Sequence, residues 1–247
     1  MALSIIDELK RRLNLIGEKQ KTELAFWKRE IGIYMDWYEG HLKDLYGVPA
    51  PKEKDKIKSY SPEENAIRTW AKVDGDKYVN HLAIPYDYFK GMKLLDVGCG
   101  PIPYALTFTG CTIWGLDQLI SGYKRLGFPL DNYDERLTYI QGGAENIPVE
   151  DNFFDAVISV NAIDHVDDFP KACKEIMRVL KPEGILRIET HYHEPTVCEP
   201  WVLTDKMIKE NFKPIGIKKI KETKFADIYP EYAKSSKEKL VVWSNKS

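Results

Sequence analysis

The 247-residue sequence lacks several features that would place it in a specialised class of proteins. It has only four cysteines and no Cys-x-x-Cys pair, so reduced thiols are the simplest interpretation. It has no apolar run long enough to span a bilayer, and charged residues follow the first apolar ones too closely for a secretory leader. We therefore expect a cytoplasmic protein without a membrane partner.

An excess of charge of one sign is also missing. The 36 Lys and Arg residues against 38 Asp and Glu residues leave a formal net charge of −2. A dedicated nucleic-acid binder would carry an excess of basic residues, so nucleic acid is not expected as a partner. By contrast, the 43% hydrophobic and 12% aromatic content suffices for a sizeable core and excludes a disordered or fibrous chain.

The first 90 residues are predicted to form a helical extension. Apolar residues recur every three or four positions over residues 3–16 and again over residues 24–45, where the second helix would end at Gly47. One side of this second helix is aromatic, which indicates a core face, a lid over a bound molecule or the interface of a homodimer. Its aromatic residues are Trp27, Tyr34, Trp37 and Tyr38.

From residue 91 to residue 247 the pattern changes to strands that alternate with helices. Short aliphatic or β-branched runs separated by helical segments are typical of βαβ crossovers and a parallel sheet. The last two runs, residues 215–222 and 239–244, have no predicted helix between them and can pair antiparallel. The sequence therefore predicts an α/β fold: a Rossmann-like, doubly wound, mostly parallel seven-stranded sheet with an antiparallel C-terminal hairpin.

The turn after the first of these strands carries the strongest signal for a ligand. Asp96 precedes the turn Gly98-Cys99-Gly100, which is predicted to open a helix and to bring the backbone close to a ligand. A nicotinamide dinucleotide is disfavoured, because Asp96 would repel its pyrophosphate and Pro103 stands where a third glycine is expected. A ligand with an ammonium and a sulfonium but no phosphate would be attracted to Asp96.

The strand, acidic residue and Gly-x-Gly turn resemble the first motif of the class I S-adenosylmethionine (SAM)-dependent methyltransferases, and later motifs follow in order over residues 90–247. The resemblance implies SAM as cofactor and a small molecule as methyl acceptor. It implies ribose contacts by Asp117, adenine contacts within residues 141–148 and a contact of Asn161 with the methionine end. The cofactor-binding residues implied are Asp96, Gly98, Cys99, Gly100, Asp117, Gln118, Ala144, Glu145 and Asn161.

Three of the five histidines follow the ends of neighbouring predicted strands. His165 follows the fourth strand, and His191 and His193 follow the fifth. Because ligands bind at the carboxyl ends of strands in open α/β sheets, we expect all three histidines to face one pocket as candidate catalytic bases. For His191 and His193, a solvent-exposed loop pair is the alternative. A histidine base favours oxygen as the methylated atom, since hydroxyl groups must lose a proton.

A divalent metal is an alternative to the histidine base. Asn161, Asp164 and His165 stand at i, i+3 and i+4, and they are similar to the E-x-x-E-H segment that binds a divalent cation in ubiquinone-pathway O-methyltransferases. Asn161 replaces a carboxylate ligand of that segment, so the sequence favours a site without metal. A non-catalytic SAM-binding or partner-binding protein is the remaining alternative.

Overall fold

The computed structural model describes residues 17–52, 59–229 and 233–246, so the helix predicted for residues 3–16 lies outside the described residues. The helices are α1 (Glu18–Glu39), α2 (Pro62–Val73), α3 (Lys77–Leu82), α4 (Ile120–Leu126), α5 (Phe169–Val179), α6 (Asp205–Asn211) and α7 (Phe225–Ile228). The strands are β1 (Asp44–Leu45), β2 (Val48–Pro49), β3 (Lys93–Val97), β4 (Thr112–Asp117), β5 (Leu137–Gln141), β6 (Phe154–Val160), β7 (Leu180–Tyr192), β8 (Lys218–Lys224) and β9 (Lys239–Ser244). Within the described ranges, none of the helices combines the length and the apolar character needed to cross a bilayer.

Seven strands form one sheet in the order β5-β4-β3-β6-β7-β9-β8. Pairing is parallel from β5 through to β7, and β9 is antiparallel to both of its neighbours. Among the described residues between β8 and β9, the helical segment is the four-residue α7, which is too short for a crossover helix. The mostly parallel seven-stranded sheet with an antiparallel C-terminal pair is therefore confirmed.

The core lies on both faces of this sheet. Leu94 and Leu95 are adjacent in β3 but belong to different apolar clusters, because successive side chains of a strand point to opposite faces. The N-terminal helices α1 to α3 cover the Leu94 face, and α5 and α6 cover the Leu95 face. The N-terminal helices thus share a core with the sheet. The division of the chain at residue 90 stays a prediction.

Two helix predictions were wrong in extent or kind. Helix α1 ends at Glu39, because Gly40 adopts a left-handed conformation with φ 86° and its amide closes the helix on the Trp37 carbonyl. The glycine turn after β3 leads into a 3₁₀ turn, Tyr104–Thr107, instead of an α-helix. Pro101 and Pro103 explain this outcome, since proline lacks an amide proton and restricts the residue before it.

The aromatic side of α1 is mostly core. Trp37 is fully buried, packs edge-to-face on Trp70 of α2 at 5.3 Å between ring centroids, and donates its indole N–H to the Val48 carbonyl at 3.0 Å. Tyr34 stacks on the same Trp70 ring at 5.4 Å. Trp27 is only half-buried and faces the cavity described below. One side of the helix therefore serves both as core and as cavity wall.

Replacing Trp37 by alanine should lower the free energy of unfolding by about 3–5 kcal/mol, the range for truncating a buried aromatic side chain. Phe26→Ala on the same helix is the matched control, because Phe26 is 43% exposed, and its loss should stay within roughly 0.5 kcal/mol. Urea unfolding followed by circular dichroism measures both. Equal losses for the two variants would contradict the packing described here.

Candidate active site

A cavity of about 930 Å³ opens at the carboxyl ends of the parallel strands, near the upper end of the roughly 300–1,000 Å³ typical of small-molecule sites. The loops after β3, β4, β5 and β6 line one half of it. Helices α1, α2 and α3, together with β7 and Tyr229, line the other half. This position follows from the parallel sheet, whose strand ends meet at one edge.

The glycine turn brings backbone to the cavity wall in a conformation that requires glycine. Gly98 has φ +73°, and a Cβ atom built on it would lie 2.3 Å from the Cβ of Ala162. Gly100 has φ +60°, and its amide donates to the Asp117 carboxylate at 3.1 Å. Left-handed backbone and the close approach of the β6 loop both exclude a side chain at Gly98.

Asp117 ends β4 with its carboxylate on the cavity wall. Besides the Gly100 amide, it accepts a hydrogen bond from the Leu119 amide at 2.8 Å. Burial, with the nearby charge of Glu23, raises the pKa of Asp117 to about 7. Each carboxylate oxygen has a further lone pair, so Asp117 retains the capacity to accept two hydroxyl groups.

The loops after β3, β4, β5 and β6 hold further predicted cofactor residues. Gln118, Cys99, Ala144, Glu145 and Asn161 all line the cavity. The Glu145 carboxylate accepts the Asp167 amide at 2.7 Å, which ties the β5 loop to the β6 loop. Asn161 has φ 49°, a left-handed conformation that asparagine tolerates better than most residues. Its backbone N–H donates to the Glu189 backbone carbonyl at 3.2 Å.

Asp96 does not line the cavity, contrary to the expectation that it meets the ligand there. It is still within β3, paired with Gly115 and Ile158, so its side chain points from the sheet face toward Tyr78 of α3, 3.5 Å away. Its second oxygen is buried without a hydrogen-bond partner in the described part of the chain. Burial raises the pKa of Asp96 to about 8.

Only one of the three predicted histidines lines the cavity. His165 does, with its Nε2 3.6 Å from the Glu199 carboxylate. His191 and His193 lie outside the lining: the Phe225 ring stacks on His191, and His193, which follows the end of β7, contacts the Asp164 carboxylate. The expected common pocket is corrected accordingly, and the roles of the three histidines stay predictions.

His191 near the end of β7 and His193 just after it lie side by side, with 4.5 Å between ring centroids. His191 stacks on Phe225 at 4.1 Å, and its burial lowers its pKa. Burial also lowers the pKa of His193. Hydrogen bonds to the Asp164 carboxylate at 3.1 Å and to the Glu194 carbonyl outweigh this effect and raise the pKa to about 9.

The sequence interpretation missed a histidine–carboxylate pair on the opposite half of the cavity. Glu189 of β7 is buried, and its carboxylate lies 2.7 Å from Nδ1 of His81 in α3. Nε2 of His81 lies 3.2 Å from the Tyr229 hydroxyl, and all three side chains line the cavity. A signal existed in β7, where Arg187, Glu189 and His191 place polar residues at every second position and therefore on one face of the strand.

Further charged and aromatic groups line this half. Glu30 of α1 is 1% exposed and accepts the Tyr46 hydroxyl at 2.9 Å. Burial raises the pKa of Asp74 and lowers that of Lys77, both on the cavity wall. The rings of Tyr34, Tyr46 and Trp70 complete the wall. This half is polar as well as aromatic.

Helix α1 also crosses the cofactor half of the cavity. Lys19 forms an ion pair with Asp167 at 2.9 Å and donates to the His165 carbonyl. Gln20 donates to Gln118 at 3.4 Å. The start of α1 is thereby held against the loops after β4 and β6.

Known proteins resemble this chain in its central part. Residues 95–188 match the family model described as a methyltransferase domain. Sterol 24-C-methyltransferase ERG6B of Gibberella zeae is 33% identical over 136 residues, which cover 52% of this chain and 33% of that protein. The chain therefore spans about a third of the length of the curated relatives it matches.

Two solved structures share the fold. Phosphoethanolamine N-methyltransferase 2 of Haemonchus contortus, solved with S-adenosylhomocysteine, has a TM-score of 0.53 at 19% identity, covering 75% of this chain and 58% of that one. The [4+2]-cyclase SpnF has a TM-score of 0.50 at 19% identity, covering 88% of this chain and 94% of that one. Fold and family match together identify a class I SAM-dependent methyltransferase domain. Residues 95–188 therefore form a methyltransferase domain of this class, whose cofactor is SAM.

Gly98→Ala should weaken SAM binding at least about tenfold, or about 1.4 kcal/mol, because the added methyl group displaces the turn from Ala162 and Asp117. Gly40→Ala is the matched control: it also has positive φ, but its Cβ would meet no atom within 4 Å. The control should lose roughly 1–2 kcal/mol of stability with unchanged SAM affinity. Calorimetric titration with SAM checks both, and unimpaired binding by Gly98→Ala would remove the turn from the cofactor site.

Asp117→Ala should weaken SAM binding by about 1.5–3 kcal/mol, the range for hydrogen bonds to a charged group. Since the pKa of Asp117 is about 7, the ionised acceptor forms as pH rises, and wild-type affinity should increase from about pH 6 to about pH 8. Asp117→Asn should abolish this pH dependence, whereas Asp131→Ala, an exposed acidic control, should retain it. An Asn variant with the wild-type affinity profile would show that Asp117 does not contact SAM.

Proposed function

We propose that the protein transfers the methyl group of SAM to a hydroxyl group of a small-molecule acceptor, with a histidine as general base. The supporting observation is that one cavity carries the cofactor loops on one half and a histidine–carboxylate pair on the other. The fold alone does not determine the reaction, since the [4+2]-cyclase SpnF shares it. When bound, SAM supplies an electrophilic methyl group, so the chain has to align the acceptor and exclude water.

His81 is the base that the geometry favours. Because the Glu189 carboxylate accepts from Nδ1, Nε2 is left to accept a proton, and at present it faces the Tyr229 hydroxyl at 3.2 Å. An acceptor hydroxyl in that position would give its proton to Nε2. A base oriented by a third group is the arrangement that activates nucleophiles in many enzymes.

The pair also lies next to the expected methionine end of the cofactor. The backbone N–H of Asn161 donates to the backbone carbonyl of Glu189, and this hydrogen bond joins the end of β6 to β7. His165, the predicted base that does line the cavity, is a second candidate. Its Nε2 lies 3.6 Å from Glu199, beyond hydrogen-bond distance, so its imidazole is less firmly oriented than that of His81.

The chemistry of the acceptor half favours a polar, hydroxylated molecule. Glu30, Asp74 and Glu189 offer carboxylate acceptors, and Lys77 offers a donor, on walls that also carry aromatic rings. Similarity to sterol 24-C-methyltransferases suggests a sterol as a second candidate acceptor. An apolar sterol nucleus in this half would displace solvent from these charged groups without offering them a polar contact, and such desolvation is unfavourable.

His81→Ala should leave SAM affinity nearly unchanged and slow methyl transfer about 10²–10⁴-fold, the usual contribution of a general base. His41→Ala removes an exposed histidine as the control and should keep the wild-type rate. The assay follows isotope-labelled methyl from SAM into hydroxylated metabolites and, in parallel, into sterols.

Three results would argue against the proposal as stated. Loss of activity in His165→Ala with retention in His81→Ala would move the base to His165. Transfer of the labelled methyl group to a carbon atom of a sterol would show that the acceptor is that carbon and not a hydroxyl group. Tight SAM binding without transfer to any compound of a broad metabolite pool would favour a non-catalytic SAM-binding protein.

A further inference from the structure

We propose that His191, His193 and Glu199 bind one divalent transition-metal ion, of the Zn²⁺ type, in the wall of the cavity. One donor atom from each of the three side chains lies within 4.8 Å of the others. Two imidazoles and one carboxylate form the ligand set of several catalytic zinc sites and of non-haem iron centres. The inference is independent of the proposed methyl transfer, since metal binding is measurable without SAM or acceptor.

The chain positions the three ligands by simple means. His191 lies near the end of β7 and His193 directly follows the strand, and their ring centroids are 4.5 Å apart. Glu199 follows in the loop after β7, in a turn closed by Thr196. The Thr196 hydroxyl donates to the Glu199 carboxylate at 2.8 Å and accepts the Glu199 amide at 3.0 Å. The carboxylate is thus oriented before any ion binds.

Two buried polar atoms around this cluster lack hydrogen-bond partners among the residues that the structure describes. They are Nε2 of His191, 3.5 Å from the Glu238 carboxylate, and one carboxylate oxygen of Asp164. Leaving such atoms unsatisfied destabilises the folded state. An ion at the cluster would supply the missing partner for His191, whose ring is already held by stacking on Phe225.

Asp164 is a positioning residue for His193. Its buried carboxylate lies 3.1 Å from His193 Nε2, while His193 Nδ1 lies 2.6 Å from the Glu194 carbonyl. Carboxylates that hold the second nitrogen of a ligating histidine are a regular feature of metal sites. Metal binding through Nδ1 would keep the Asp164 contact and replace the Glu194 contact.

The cluster reaches the cavity through Glu199, which belongs to the cavity lining, whereas the two histidines do not. Three protein ligands with an open position are the arrangement of catalytic zinc sites. The ligand set differs from the Asn161, Asp164 and His165 segment considered from sequence. Asn161 is exposed on the glycine-turn side and is not a member of the cluster.

Metal binding by the untagged full-length chain tests the inference after a chelator has stripped adventitious ions. Calorimetry with Zn²⁺ and visible absorption with Co²⁺ should both give one equivalent, with the Co²⁺ bands typical of nitrogen and oxygen ligands. His191→Ala and Glu199→Gln should lose the site, and Asp164→Asn should weaken it about 10–100-fold. His41→Ala, the exposed histidine control, should keep one full equivalent.

SAM affinity of each variant reports whether it is folded. If the variant at the buried His191 does not fold, Glu199→Gln is the decisive variant, because the Glu199 side chain is partly exposed and the substitution is isosteric. Wild-type protein that binds no stoichiometric ion would overturn the inference. So would wild-type affinity in Glu199→Gln, or loss of binding only in His165→Ala, which would assign the ion to the Asp164 and His165 segment.

Discussion

The hydrogen bond from the Gly100 amide to the Asp117 carboxylate joins the ends of the two strands on which the cofactor half is built. It holds the turn in a conformation that leaves no room for a side chain at Gly98. It also keeps a carboxylate in a buried position, where its pKa rises to about 7. Both features cost stability in the ligand-free protein, and a bound ribose would offset them by donating to the carboxylate.

The two halves of the cavity come from different parts of the chain. The cofactor half is formed by strand ends within residues 95–188, the range that matches the methyltransferase family. Most of the other half comes from α1, α2, α3 and residues after β7, outside that range. Aromatic packing of α1 on α2 fixes these helices above the sheet. The cofactor is therefore recognisable from the family, whereas the acceptor is encoded by the surrounding helices.

Most of the fold was predictable because strands and helices leave local periodic signals. The seven strands, the antiparallel C-terminal pair and the cavity position of Asp117 follow from such signals and from order along the chain. Pro101 and Pro103 disfavour an α-helix directly after the glycine turn, so the sequence also contains the signal for the 3₁₀ turn that forms there.

The positions of the other site residues depend on contacts between distant parts of the chain. His81 and Glu189 are 108 residues apart, and no local pattern indicates that α3 lies over β7. His191 is kept from the cavity lining by the stacked ring of Phe225, and His193 by its contact with Asp164, which comes from a different loop. Strand length and helix placement are tertiary effects, so single-sequence patterns locate the cofactor half better than the catalytic half.

A crystal structure with bound S-adenosylhomocysteine tests the central claim most directly. The ribose hydroxyls should lie within hydrogen-bond distance of the Asp117 carboxylate, and the sulfur should face the half of the cavity that contains His81 and Glu189. A ribose that makes no contact with Asp117, or a sulfur that faces away from His81, would contradict the division of the cavity into cofactor and acceptor halves.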